Sequence, residues 1–68
     1  MIITNIGDKR CFIEVEYDSR SEEYNALCRV VTMAPDGQQM WHDRPVIAYS
    51  PKKEQAIEFC LNTIQQRK

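Results

Sequence analysis

Residues 50–67 (SPKKEQAIEFCLNTIQQR) form the only stretch long enough for a substantial helix, and they constrain the rest of the chain. Stepping about 100° per residue from Ala56 places Ile57, Cys60, Leu61 and Ile64 within an arc of about 140°. One such stripe needs one apolar surface to cover. Glu54, Gln55, Glu58, Asn62 and Gln65 occupy the opposite side, and Phe59 falls among them, away from the stripe. Ser50 and Pro51 suit the N-cap and first helical positions. Arg67 and Lys68 complement the negative end of the helix dipole.

What precedes the helix reads as strands. Residues 1–6 (MIITNI) are short and β-rich, and Gly7-Asp8-Lys9-Arg10 follow as a polar turn. Residues 11–17 (CFIEVEY) alternate. Cys11, Ile13, Val15 and Tyr17 share one face, and Phe12, Glu14 and Glu16 share the other. The first set predicts a core face and the second a wet one, the pattern of an antiparallel sheet covered on one side. Residues 18–23 (DSRSEE) form a loop. Residues 24–33 (YNALCRVVTM) are apolar on both faces, as in a central strand or one whose outer face meets a partner. Ala34-Pro35-Asp36-Gly37 is a strong turn signal and predicts a hairpin into residues 38–42. Pro45 has no N–H for a ladder, so extended structure breaks there and resumes over residues 45–49, after a bulge or as a separate strand. The expected architecture is α+β, β-β-β-β-α: a four-stranded antiparallel meander with one face covered by a C-terminal helix, in a single domain spanning residues 1–68.

A 68-residue chain sits near the lower limit for folding alone, with roughly 3–5 kcal/mol from its core, so a disulfide, a metal or a second subunit is the usual supplement. Cys11, Cys28 and Cys60 are odd in number and far apart, and MIITNIGDKR does not open like a signal peptide. Those features predict a cytoplasmic protein with free thiols, and so favour a homodimer. No metal or other cofactor is expected: none of the cysteines lies close in sequence to another or to His42, whereas structural zinc sites use close pairs. No apolar run approaches the ~20 residues of a membrane span. The sequence predicts no enzyme either. Catalysis would have to use His42, the single histidine, with an acid such as Asp43, and no nucleophile motif accompanies them.

Two binding readings remain. Phe12 lies on the glutamate face of its strand, Trp41 and Tyr49 on the last strands, Met33 and Met40 at the hairpin turn and Phe59 on the polar side of the helix. Aromatics on polar faces suit a protein interface, with a second copy or another protein. The first reading is therefore a non-catalytic interaction or regulatory module, homodimeric, using the open sheet face and an edge strand, with Phe12, Trp41 and Phe59 as contact residues. The alternative is nucleic-acid binding through Arg44, Lys52 and Lys53. The net charge is −1, but residues 44–68 carry five bases against two acids, and two lysines open a helix whose N–H groups already attract phosphate. The segment Ser50-Pro51-Lys52-Lys53-Glu54, following strands, resembles the C-terminal part of double-stranded-RNA-binding domains, which implies phosphate contacts at the helix start. The first helix of that family has no counterpart here. The order of elements is also similar to that of small HicB-type antitoxins, a likeness of architecture alone.

Overall fold

A computed structural model describes residues 1–37 and 39–67. It contains β1 (Ile2–Ile6), β2 (Lys9–Asp18), β3 (Glu23–Met33), β4 (Met40–His42), β5 (Val46–Ser50) and α1 (Lys53–Gln66). All strand pairs are antiparallel. β1 pairs β2 and β2 pairs β3, while β4 and β5 both pair β3, at its two ends. The fold is α+β: an antiparallel meander followed by a single C-terminal helix, as the periodicity predicts.

The predicted fourth strand is divided in two. Val31, Thr32 and Met33 pair with His42, Trp41 and Met40, whereas residues 24–28 pair with Val46 through Ser50. Residues 43–45 step out of the ladder where Pro45 lacks a donor. Asp43 still gives its N–H to the Val30 carbonyl at 2.8 Å, so the break is anchored on β3. Gln38, the expected start of that strand, lies outside the described residues, as does Lys68.

Local sequence sets each hairpin. Gly7 has φ of 60° as the first central residue of the two-residue β1–β2 turn, a conformation that a Cβ disfavours. Asp18 accepts the Arg20 N–H at 2.9 Å and starts the β2–β3 loop. The predicted 34–37 turn closes with Gly37 N–H donating to the Ala34 carbonyl at 2.9 Å.

The helix starts later than predicted. Ser50 is the last residue of β5, opposite Tyr24, so its backbone belongs to the sheet. Its hydroxyl accepts the Lys52 N–H at 3.2 Å and bonds the Gln55 side chain at 3.1 Å. Lys52 becomes the N-cap, in extended conformation and with no side-chain cap bond. At the other end Arg67 is the C-cap rather than a last-turn residue.

Ala56, Cys60 and Ile64 are buried, with Ile57 and Leu61 half-buried beside them. They pack on Cys11, Ile13, Ala26, Cys28, Val30, Val46 and Ala48. Ala26 faces Ala48 across β3 and β5. These small side chains let the helix approach closely enough for the Cys60 thiol to reach the Ala26 carbonyl at 3.6 Å. Among the described residues no helix lies over the other sheet face.

Candidate functional site

The open face is built by strand register. Side chains directly opposite in an antiparallel pair lie on the same face. Ile3 therefore lies beside Phe12, and Phe12 beside Arg29. Glu14 lies beside Leu27 and Leu27 beside Ile47; Glu16 lies beside Asn25 and Asn25 beside Tyr49. An apolar band thus crosses four strands: Ile3, Phe12, Leu27, Ile47 and Tyr49. Ile3, Ile47 and Tyr49 are 60%, 55% and 63% exposed, and Phe12 and Leu27 are half-buried. Met33 and Met40 continue the apolar surface at one end.

The charges on this face are segregated. Arg10 and Arg29 lie toward the β1–β2 turn, with His42 opposite Val31 in the same row as Arg10. Glu14 and Glu16 lie toward the other end, where with Asn25 and Leu27 they line a shallow cavity of about 120 Å³. Among the described residues none hydrogen-bonds the Asn25 side-chain oxygen, which is buried there. An unmet buried acceptor carries an energetic cost.

A second polar cluster lies on the helix side, past the helix C-terminus. Lys9 Nζ sits 2.7 Å from an Asp43 carboxylate oxygen and donates to Thr32 Oγ1 at 2.9 Å. The Thr32 hydroxyl donates to the same carboxylate at 2.9–3.0 Å. Arg67 donates to the Arg44 carbonyl at 2.6 Å, tying the helix end to the strand break. The Lys9 hydrogen bond holds the Asp43 carboxyl below its ordinary range. Burial opposes that effect, and the Thr32 bond and the Lys9 and Arg67 charges add to it. A carboxylate with a depressed folded-state pKa contributes stability above its unfolded pKa and loses it as pH falls through the folded value. We expect Asp43→Ala to lower stability by about 1 kcal/mol, or about 4–8 °C in Tm, at pH 7. Thermal melts should show the wild-type advantage disappearing below about pH 4; an unchanged difference there would remove Asp43 as its source.

The residues singled out from sequence do not converge. Phe12 is on the open face, Trp41 on the helix side opposite Thr32, and Phe59 on the exposed flank of α1. Arg44 is at the helix C-terminus, whereas Lys52 and Lys53 are at its start, about 20 Å away along a 14-residue helix. His42 and Asp43 project to opposite faces, so Asp43 does not orient the imidazole.

The three cysteines are free and buried. The register makes Cys11 and Cys28 diagonal neighbours on the core face. Burial pushes all three thiols up. Cys28 reaches about 12, through desolvation first and then the neighbouring Cys11 and Cys60. They fill the core as small apolar groups. Among the described residues no group of three or more Cys, His, Asp or Glu is placed to hold a metal, and no helix is long and apolar enough to cross a membrane. Comparison with known protein families, curated proteins and solved structures gives no match.

Leu27 and Ile47 carry no sequence signal that marks them as companions of Phe12, whereas Tyr49 stands out as an aromatic on the last strands. The alternation of all three is visible, but the register that aligns them is not. The Lys9–Asp43 pair joins residues 34 apart and has no local signature either.

Proposed function

We propose that this chain is a non-catalytic interaction module that works as a homodimer, joined through the open face of its sheet. The observation that carries the reading is the surface it leaves exposed. A compact monomer of 8.0 kDa exposes roughly 4,450 Å² by the usual surface–mass relation, and this chain exposes 5141 Å². The excess, roughly 700 Å², approaches the ~800 Å² that each partner contributes to a standard interface. The surplus goes with an elongated shape, 44 × 19 × 16 Å, whose radius of gyration is 12.8 Å against roughly 11 Å for a compact domain of this length.

Charge favours a second copy as the occupant. A twofold axis lying between the sheets and crossing the strands reverses strand direction. It sets the Arg10 and Arg29 end of one face over the Glu14 and Glu16 end of the other and brings the two apolar bands face to face. Such an isologous contact is self-complementary. Partner choice then rests on charge and stability on the apolar band.

The test is a charge exchange. Arg10→Glu should weaken self-association about tenfold by sedimentation velocity, and so should Glu16→Arg. Combining the two should restore much of the loss, because each restores a complement for the other. Additive weakening in the double variant would overturn the antiparallel arrangement.

A further inference from the structure

We propose that the cavity at the strand break is a second site, which binds a phosphate group carried beside a planar ring: the chemistry of a nucleotide, either free or as a unit of a single strand. It lies on the helix side of the sheet, away from the open face, so it stands or falls independently of dimerisation.

Lys9, Asp43, Arg44 and Arg67 line an open cavity of about 550 Å³, within the roughly 300–1,000 Å³ of small-molecule sites. Three cations and one carboxylate leave a surplus of two positive charges. The carboxylate is already engaged, since Lys9 and Thr32 both bond Asp43. What remains for an incoming anion is the pair of guanidinium groups. Arg67 is fixed in position by one N–H on the Arg44 carbonyl, and a guanidinium carries four further donors. The planar guanidinium fork of a preplaced arginine can donate to two oxygens of one phosphate at once.

The ring partner is Trp41. Register runs Ile6, Lys9, Thr32, Trp41 across the sheet on the helix side, so Trp41 stands one strand from the Lys9–Thr32–Asp43 cluster on the same face. It is 53% exposed, with its indole outside the core cluster. A cationic groove beside an exposed aromatic ring is the usual construction of sites that hold a phosphate and stack a base. Lys52 and Lys53, at the far end of α1, take no part.

Trp41 is the single tryptophan, so its fluorescence reports on the site directly. The full chain is titrated with adenosine monophosphate, with inorganic phosphate and with a short single-stranded oligonucleotide, at about 50 mM and about 200 mM salt. Saturable quenching by the nucleotide or the oligonucleotide, competed by phosphate and weakened by salt, is the expected result. Quenching by the nucleotide assigns the site to a free ligand; quenching by the oligonucleotide alone assigns it to a strand. Arg44→Ala, which keeps the carbonyl that anchors Arg67, should weaken binding about tenfold, as should Arg67→Gln, while Lys52→Ala has no effect. No saturable quenching by either probe would overturn the proposal, and so would quenching that both arginine variants leave unchanged.

Discussion

Replacing Ile13 by alanine is expected to abolish the cooperative thermal transition of this chain near room temperature. Ile13 is fully buried under α1, in the middle of β2, with Ile2 and Cys28 opposite it on the two neighbouring strands. Truncating a buried isoleucine costs about 2–5 kcal/mol, against roughly 3–5 kcal/mol in total for a domain of this size. The neighbours cannot close the gap cheaply, because Ala26, Ala48 and Ala56 already bring the helix close to β3 and β5. Circular dichroism should show most of the population unfolded at 25 °C, or a Tm lowered by more than about 10 °C. Phe59→Ser, on the exposed flank of the helix, should stay within about 0.5 kcal/mol of wild type. A Tm for Ile13→Ala within a few degrees of wild type would mean that this core does not hold the fold.

The sequence exposes the elements of this protein more clearly than their assembly. The β2 alternation identifies Cys11, Ile13, Val15 and Tyr17 as the core face and Glu14 and Glu16 as the open side, and the structure agrees except at Tyr17, which lies on the core face but beyond the end of the core, 56% exposed and edge-on to Tyr24. The helix stripe is legible for the same reason, since a 3.6-residue period needs no knowledge of the partner surface. The cap was less legible. Ser50 followed by Pro51 carries a helix-start signal, yet pairing with Tyr24 keeps Ser50 in β5, and tertiary context prevails over local preference. The two sides of β3 were ambiguous because both are apolar. One side meets α1 through Ala26, Cys28 and Val30; the other carries Leu27 within the open apolar band. Candidate sites were the least legible. Phe12, Trp41 and Phe59 are conspicuous in composition but lie on three separate surfaces. The residues that do adjoin Phe12 and Arg44 do so through cross-strand register and a strand break, which no local pattern encodes.

The second large effect concerns the open face. Ile47→Glu should dissociate the proposed dimer by about a hundredfold, or ~2.8 kcal/mol. It places a carboxylate in the apolar band, where burial without a partner is strongly unfavourable. The substitution separates association from folding. Ile47 is 55% exposed in the single chain, on the face away from the core, so a monomer loses little by the change. A variant that melts like a wild-type monomer but no longer self-associates would locate the interface on this face. Ile13→Ala, by contrast, should remove fold and association together.

Sedimentation equilibrium of the wild-type chain and of Ile47→Glu, at matched micromolar concentrations, tests the account most directly. The predicted result is a wild-type mass of twice the 8.0 kDa chain and a variant mass of one chain, both with native circular dichroism. A wild-type mass of one chain throughout the concentration range would contradict it, as would a variant that remains dimeric.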